Sequence, residues 1–314
     1  MPSLRTVFFG SSVFAVPSFE ALAERHNVVA AYTQPDRPAG RGLQLTPTRI
    51  KTAAMRLGIP VSAPGRLDQP TIDAIAELHP QMLVCASYGE ILPAALLEIE
   101  AMTALNVHPS LLPRYRGATP IQTALREGAA QTGVTIICMT SKMDAGPIAL
   151  AKPAAVDRLD TYGTLHDKLA DLGAILVLEA ADLLGSGCLA RHPQDDSLAT
   201  YTKALSSADR QVDFKSSAID AVNLIRSLSP RPGAWALMQG RRIKIIAASA
   251  EPSLDRPSSP GTVVAIDGEG PLIATAHGAL RLLRVVPEGK AEMAGSAFAR
   301  NMRTGAVPAR GDVN

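Results

Sequence analysis

Apolar runs alternate with amphipathic stretches along residues 1–184. Runs rich in β-branched and aromatic residues predict strands at 4–9, 27–33, 82–87, 104–108 and 133–139. Apolar positions at helical spacing predict helices at 14–24, 48–57, 69–78, 120–127 and 161–184. Strands separated by helices are typical of βαβ crossovers, so the sequence predicts an α/β fold with a mostly parallel sheet.

The pattern changes after residue 184. Residues 185–205 are polar, contain Gly and Pro and lack apolar periodicity, so we interpret them as a linker. Beyond them, the pattern predicts one helix at 218–228. It then predicts short strands at 235–238, 242–248, 262–266, 272–275 and 279–286. Five short strands favour a small β-barrel of the OB type, so the expected organisation is domain 1–184, linker 185–205 and domain 206–314.

Composition narrows the class of protein. Of 314 residues, 46% are hydrophobic and 19% are charged, which is typical of a globular protein of about two domains. No apolar run reaches the ~18 residues of a membrane span, and the first residues do not resemble a signal peptide. Cys85, Cys138 and Cys188 lack the spacing of a disulfide framework or a metal site, so we expect a cytoplasmic protein.

The net charge says less than the composition about the class of protein. The formal net charge is +2, and residues 206–314 carry 14 Lys and Arg against 10 Asp and Glu. A mildly basic second half is compatible with a polyanionic partner. On charge alone, an ordinary solvated surface is the favoured interpretation.

The loop after the first predicted strand argues against a dinucleotide site. Gly10 is followed by Ser11 and Ser12, without the second and third glycines of the dinucleotide-binding fingerprint. The backbone then cannot approach a pyrophosphate closely, and the GxxxxGK[ST] phosphate loop is absent as well. The α/β fold remains the prediction, while a nicotinamide or nucleotide cofactor is disfavoured.

Residues 106–117, NVHPSLLPRYRG, carry the most informative chemistry. Side chains alternate faces along a strand, so Asn106 and His108 should point to the same side of the sheet. Ligand sites in open α/β sheets lie beyond the carboxyl ends of strands, and Pro109 and Pro113 stiffen the loop there. An amide can donate to a developing oxyanion, and an imidazole can move protons at neutral pH. Taken alone, a single histidine is more often structural than catalytic.

Asp144, in the segment MDAGPI, is the second candidate. It follows the predicted strand at 133–139, so we expect it near the carboxyl end of a strand. A carboxylate there could orient an imidazole and stabilise its charged form. The alternative is a turn in which Asp144 bonds to its own backbone while Gly146 and Pro147 shape the bend.

The third candidate is residues 34–47, a long segment without evident secondary structure directly after a strand. Loops of this length in compact domains tend to be functional or disordered. The segment and its continuation contain four basic residues, Arg37, Arg41, Arg49 and Lys51. They contain one acidic residue, Asp36. This composition suits contact with phosphate groups, and it also suits a solvated flexible loop.

Together, these segments resemble the methionyl-tRNA formyltransferases, within the wider group of enzymes that use 10-formyltetrahydrofolate. The resemblance rests on TQPDRPAGRG (33–42), NVHPSLLPRYRGATPIQ (106–122) and MDAGPI (143–148). It continues through YTKALSSADRQVDF (201–214), SPRPGAW (229–235) and GSAFARNMR (295–303). It therefore spans nearly the whole chain.

The resemblance implies a fold and a reaction. Residues 1–184 would form a Rossmann-like formyl-transfer domain, and residues 206–314 an OB-like β-barrel that helps to hold tRNA. The α-amine of methionine on initiator Met-tRNA would attack the formyl carbon of 10-formyltetrahydrofolate. The reaction needs no metal, and we expect a monomer.

The resemblance also assigns residues. Asn106, His108 and Asp144 match the catalytic positions of the family. Chemistry then suggests that His108 moves protons, Asn106 donates to the oxyanion and Asp144 orients His108 and favours its imidazolium. The segment expected to contact folate is Ser110, Leu111, Leu112 and Pro113. The residues expected to bind tRNA are Arg37 and Arg41 at the acceptor end and Arg241, Arg242 and Lys244 along the backbone.

Two alternatives remain open at the level of the sequence. The chain could be another folate-dependent enzyme on the same scaffold, either a formyltransferase for a small amine such as an amino sugar or a formyltetrahydrofolate hydrolase. It could also be a non-catalytic RNA-binding protein built on a barrel, which would leave Asn106, His108 and Asp144 without a purpose. Saturable binding of a folate analogue would distinguish the enzymes from the RNA-binding protein.

Overall fold

The computed structural model describes residues 3–39, 44–238, 240–251, 258–300, 302 and 304–306. The chain divides into two compact units. The first unit comprises Met1–Pro120, Gln131–Ala155 and His166–Thr202, and the second comprises Ile121–Ala130, Val156–Leu165 and Lys203–Asn314. Residues 185–202, predicted as most of a linker, thus belong to the first unit. The predicted boundaries of two independently folding domains stay a prediction.

Eleven strands are described up to residue 202. They are β1 (Arg5–Gly10), β2 (Asn27–Tyr32), β3 (Arg37–Ala39), β4 (Gln44–Thr46), β5 (Val61–Ser62), β6 (Met82–Ala86), β7 (Thr103–His108), β8 (Arg116–Gly117), β9 (Gln131–Cys138), β10 (Ile148–Ala155) and β11 (Tyr201–Thr202). The helices in the same part of the chain are α1 (Ala15–Arg25), α2 (Arg49–Leu57), α3 (Gln69–Ala76), α4 (Ala94–Leu97), α5 (Pro120–Arg126) and α6 (Tyr162–Gly185).

Seven of these strands form one sheet in the order β10-β9-β7-β6-β1-β2-β5. Neighbours from β7 to β5 run parallel, and the β7–β9 and β9–β10 pairs are antiparallel. The mostly parallel sheet predicted from the sequence is thereby confirmed. Every residue of β6 is buried, which is the apolar pattern of a strand covered on both faces.

The turn from β1 into α1 depends on Gly10. A β-carbon at this position would lie 2.7 Å from Phe8 Cε1, 2.9 Å from Ala15 Cβ and 3.0 Å from the carbonyl oxygen of Ala86. The glycine therefore allows the start of α1 and the neighbouring strand to approach closely. Its role in this structure is packing.

The expectation of a segment without secondary structure at 34–47 was wrong in part. Strands β3 and β4 pair antiparallel, with Arg37 opposite Thr46 and Ala39 opposite Gln44. The reason is local: two three-residue strands can form a hairpin from backbone hydrogen bonds alone, without an apolar pattern. Residues 40–43, and with them Arg41, lie outside the described residues.

Among its described residues after 202, the second unit contains the α-helix and strands predicted for the C-terminal part of the chain and three short α or β elements besides. They are α7 (Ala218–Leu228), β12 (Ala234–Met238), β13 (Arg241–Glu251), β14 (Thr262–Ile266), β15 (Pro271–Ala274), β16 (Ala279–Pro287), β17 (Met293–Ala294), α8 (Gly295–Ala299) and β18 (Gly305–Ala306). The strands form one antiparallel sheet in the order β12-β13-β16-β15-β14-β18, with β17 beside β16.

The core of the second unit lies between α7 and this sheet. Buried Ala221, Ile225 and Leu228 of α7 pack with apolar residues of the strands, including Ile245 and Leu282. The predicted β domain of short strands is confirmed for this half, and the structure shows that its strands pair antiparallel. Closure of the sheet into a complete OB-like barrel stays a prediction.

Candidate active site

Asn106 and His108 lie at the carboxyl end of β7, and Asp144 meets both of them. Asn106 Nδ2 donates to Asp144 Oδ1 at 3.4 Å, and His108 Nδ1 lies 3.6 Å from the same oxygen. Because Asn106 and His108 are two positions apart on a strand, they share a face, as the alternation predicted. The structure thus brings the three candidate residues together.

The route by which Asp144 reaches this point differs from the predicted one. We expected it to follow a strand whose carboxyl end lies at the same edge as that of β7. Strand β9 instead runs antiparallel to β7, with Cys138 opposite Leu105 and Thr135 opposite His108. The end of β9 therefore lies away from His108, and Asp144 reaches Asn106 and His108 from the loop that follows β9.

The two ring nitrogens of His108 face different groups. The side chain is 5% exposed, and its Nε2 lies 3.0 Å from the carbonyl oxygen of Tyr115. A carbonyl only accepts, so the neutral ring carries its hydrogen on Nε2. Nδ1 is then the atom with a free lone pair, and it faces Asp144. Proton uptake at Nδ1 would create an imidazolium directly opposite the carboxylate.

Asp144 has an unusual backbone conformation, and its carboxylate is held by a backbone amide. Its φ is +51°, a left-handed conformation that residues other than glycine rarely adopt. Its Oδ2 accepts a hydrogen bond from the Gly117 amide at 2.8 Å. A β-carbon at Gly117 would lie 2.4 Å from the carbonyl oxygen of Thr202, and φ there is +108°, so only glycine fits.

Sequence reasoning missed the groups that orient the candidate side chains. The Tyr115 carbonyl and the Gly117 amide belong to the backbone, and every residue carries such groups, so no residue type reveals them. Glycine in the segment RYRG was the one available signal, because glycine often marks a close backbone approach.

Side chains of the predicted folate segment divide between the interior and the surface. Ser110 is fully buried and its Oγ donates to the Arg114 carbonyl oxygen at 2.6 Å, while Leu112 is 7% exposed. Leu111 and Pro113 are half-buried. Leu111 and Pro113 are therefore the side chains of this segment that are more accessible to a ligand, while Ser110 and Leu112 support the turn.

The basic residues predicted near the acceptor end have different surroundings. Arg37 and Arg49 are exposed. Lys51 Nζ instead lies 2.7 Å from Asp36 Oδ2, so its charge is already paired within the protein. Arg41 lies outside the described residues. Of the predicted acceptor-end pair, Arg37 is thus the one whose position is described.

Arg241, Arg242 and Lys244 lie near the start of β13. Arg242 and Lys244 lie on one face, opposite Leu237 and Trp235 of β12. The Arg242 guanidinium lies 4.3 Å from the centre of the Trp235 ring. Burial lowers the pKa of Lys244, with Arg231 and Arg210 adding positive potential and Glu292 opposing them. We call this face, with Trp235, Arg242 and Lys244, the basic face.

A buried thiol lies beside the site. Cys85 is the β6 residue opposite Asn106, and burial raises the pKa of its thiol to about 12. A thiol with such a pKa is not ionised at neutral pH, so Cys85 is a poor nucleophile. The side chain packs as a small apolar group in the core.

Neither a metal cluster nor a membrane helix is found among the described residues. Within 3–39, 44–238, 240–251, 258–300 and the short pieces after them, no group of three or more His, Cys, Asp or Glu could hold a metal ion. In the same part of the chain, no helix is long and apolar enough to cross a membrane.

Comparison with known families agrees with this fold. The formyl transferase model matches residues 4–181, and the model of the formyl transferase C-terminal domain matches residues 204–303. The chain belongs to the formyl transferase family. More closely, it belongs to the methionyl-tRNA formyltransferases. It is 41% identical to the one from Ectopseudomonas mendocina over 92% of either chain, and 41% identical to the one from Roseiflexus castenholzii over 96% of this chain and 97% of that one.

Solved structures share the fold at low sequence identity. An N-formyltransferase from Helicobacter canadensis, in complex with folinic acid and dTDP-3-aminofucose, matches with a TM-score of 0.67 and 16% identity over 90% of this chain and 98% of its own. HypX from Aquifex aeolicus, in complex with tetrahydrofolic acid, matches with a TM-score of 0.64 and 16% identity over 98% of this chain and 51% of its own. At this identity, the likeness concerns the fold.

Proposed function

We propose that the protein transfers the formyl group of 10-formyltetrahydrofolate to the α-amine of methionine on initiator Met-tRNA. The observation that carries the proposal is the meeting of Asn106, His108 and Asp144 at the end of β7. Membership of the methionyl-tRNA formyltransferases supports the choice of donor and acceptor. Transfer of a formyl group to an amine needs a base, a donor to the oxyanion and a negative charge that balances the protonated base. We assign these tasks to His108, Asn106 and Asp144 in that order.

His108 acts on protons through Nδ1 in this proposal. The α-amine of methionine attacks the formyl carbon and becomes positively charged, and Nδ1 accepts one of its protons. The imidazolium then returns a proton to N10 of the folate, whose bond to the formyl carbon breaks. The Tyr115 carbonyl keeps the other ring nitrogen protonated throughout, so the ring does not need to turn.

Asn106 and Asp144 stabilise the charges that this path creates. Asn106 has two amide hydrogens, one of which is directed at Asp144. The second can donate to the oxyanion of the tetrahedral intermediate. Asp144 faces Nδ1 and balances the imidazolium, and its other oxygen stays on the Gly117 amide. The proposed steps use no metal ion.

Leu111 and Pro113 are proposed to contact the folate, and Ser110 and Leu112 to shape the turn that presents them. Arg37 and Arg41 are proposed to contact the acceptor end of the tRNA. Arg241, Arg242 and Lys244 are proposed to contact phosphates of the tRNA backbone. The basic face supports the assignment of Arg242 and Lys244, and exposure supports that of Arg37 and Arg241.

The test is a transfer assay with two acceptors. Purified protein is incubated with 10-formyltetrahydrofolate and either Met-tRNA or a free amino-sugar nucleotide, and the formylated product is measured. We expect formylmethionyl-tRNA and no formylated sugar. Transfer to the sugar alone, or release of formate without any acceptor, would replace the proposal with the small-amine enzyme or the hydrolase.

A further inference from the structure

Residues 192–202, which we call the strap, run beside both loops that form the site. At one end, His192 and Ile148 exchange two backbone hydrogen bonds of 2.8 and 2.9 Å. At the other end, β11 pairs in parallel with β8. Between them, Thr200 accepts hydrogen bonds from the amides of Tyr115 at 2.8 Å and Arg116 at 2.9 Å. The strap thus contacts both the chain that follows His108 and the chain that follows Asp144.

Gln194 is the strap side chain that reaches the Asp144 loop. Its Nε2 donates to the carbonyl oxygen of Asp144 at 2.8 Å and to that of Gly146 at 2.7 Å. Its Oε1 accepts from Arg116, at 2.8 Å from Nη2 and 3.2 Å from Nε. Both donors and the acceptor of one amide are therefore used to join the two loops.

Arg116 anchors this amide from within the protein. Its side chain is 2% exposed and also donates to Asp196 Oδ1 at 2.7 Å and to the Tyr201 hydroxyl at 3.3 Å. The next residue, Gly117, holds the Asp144 carboxylate through its amide. Residues 116 and 117 therefore hold Asp144 at two points. Gly117 binds its carboxylate directly, and Arg116 binds Gln194, which donates to its carbonyl oxygen.

We propose that Gln194, held by Arg116, is a positioning residue that fixes the backbone of Asp144 and thereby the place of its carboxylate beside His108. Asp144 has a left-handed φ of +51°, so its conformation depends on partners that hold it. Gln194 holds the carbonyl of that same residue. The inference rests on the proposed function, in which the Asp144 carboxylate balances the His108 imidazolium. Gln194 itself contacts no reacting atom.

Gln194→Glu tests the contact of Gln194 with the Asp144 loop while its contact with Arg116 is kept. The variant keeps the length of the side chain and its acceptor for Arg116. An ionised carboxylate cannot donate, so both bonds to the Asp144 loop are removed and repulsion from the two carbonyl oxygens replaces them. Gln194→Met removes donors and acceptor together and serves as the second variant. Gln131→Glu, at an exposed position of β9, makes the same chemical change elsewhere in the unit.

We expect the kcat of Gln194→Glu to fall about tenfold or more, because a small displacement of a catalytic group has a large effect on rate. The KM of the folate donor should be unchanged, and the midpoint of thermal unfolding should change little because Arg116 keeps its partner. Gln131→Glu should match the wild type in all three measurements.

The double variant decides whether Gln194 acts through Asp144. Adding Gln194→Glu to Asp144→Asn should lower kcat little further, because the carboxylate that Gln194 positions is already gone. Full additivity, or wild-type kcat in both Gln194 variants, would overturn the inference. If the Glu variant does not fold, Gln194→Met is judged by the same measurements. Wild-type activity of Asp144→Asn is a separate result, which would contradict the proposed function itself.

Discussion

His108 and Asn106 have different tasks in the proposed reaction, and single substitutions remove each task. His108→Ala takes away the proton carrier, and Asn106→Ala takes away the donor to the oxyanion. We expect each variant to lower kcat by about 10²-fold or more in the transfer assay, the usual scale for either loss. The KM of the folate donor, measured alongside, should change far less. Wild-type turnover of His108→Ala would mean that another group moves the protons.

His26 makes stability depend on pH at a place unrelated to catalysis. Its Nδ1 accepts from the Leu4 amide at 3.3 Å, and burial lowers its pKa from 6.5, with Asp182 opposing and Arg25 adding to the effect. The unfolded chain therefore takes up the proton at higher pH than the folded protein. The contribution of neutral His26 to the free energy of unfolding is present above pH 6.5 and is lost as the pH falls through the lower, folded pKa.

We expect His26→Gln to flatten this dependence. Urea unfolding between about pH 7.5 and 5 should give a free energy of unfolding that falls less steeply for the variant than for the wild type. His79→Asn, at an exposed position with a left-handed φ that Asn tolerates, should retain the wild-type slope. An equal slope for His26→Gln and wild type would assign the acid sensitivity to other groups.

Strands and helices were predictable where burial imposes a pattern. Strands β1, β6 and β7 are largely apolar runs, and α2 begins after Thr48, whose side chain accepts from the Lys51 amide, and ends before Gly58. Strand β10 was missed because Ala149 is its one buried residue and Pro153 interrupts it, and β3 and β4 because three residues carry no periodicity. The antiparallel direction of β9 was missed because an apolar run does not encode direction.

The candidate site was predictable to the same degree. Asn106, His108 and Asp144 are residue types with evident chemistry, so their positions stood out. Gln194 did not, because a single glutamine in a polar segment has no distinctive pattern and its partners on the Asp144 loop are carbonyl oxygens. The sequence pattern does not reveal the groups that orient the candidate side chains Asn106, His108 and Asp144.

The junction of β1 and α1 gives a test of packing between elements. Gly10→Ala would place a methyl group within 3.0 Å of Phe8, Ala15 and the Ala86 carbonyl oxygen. Overpacking of this kind destabilises a fold by about 1–3 kcal/mol, which urea unfolding can measure. Gly65→Ala is the matched control, because a β-carbon there meets nothing within 4 Å and φ is ordinary. Equal stability of the two variants would mean that the junction relaxes freely.

The two units of the molecule carry different parts of the proposed function. The first holds the groups that act on the formyl carbon, and the second carries the basic face. A small acceptor would need only the former, whereas tRNA is a long polyanion whose binding releases counterions at each neutralised phosphate. Dependence on salt is therefore a property that reports on the acceptor.

We expect the KM for Met-tRNA to rise steeply with salt while the KM for the folate donor barely moves. Replacing both Arg242 and Lys244 by Ala should raise the KM for Met-tRNA. It should also reduce the slope of its logarithm against log salt by about one unit for each phosphate that the variant no longer neutralises. Arg158→Ala removes a charge from an exposed position of the same unit and is the control. A salt-independent KM for Met-tRNA would favour a small amine as the acceptor.

The parallel pairing of β8 with β11 bears on how this gene could be recombined or trimmed. A fragment that stops where α6 ends, at Gly185, would retain every residue expected to do chemistry and still lack Gln194, Asp196, Thr200 and Thr202. Exchanging C-terminal segments between homologues after Gly185 would combine Asp144 from one parent with residues 192–202, which contact its loop, from the other. Chimaeras joined after Thr202 keep both from a single parent, and that is where crossover should be tolerated.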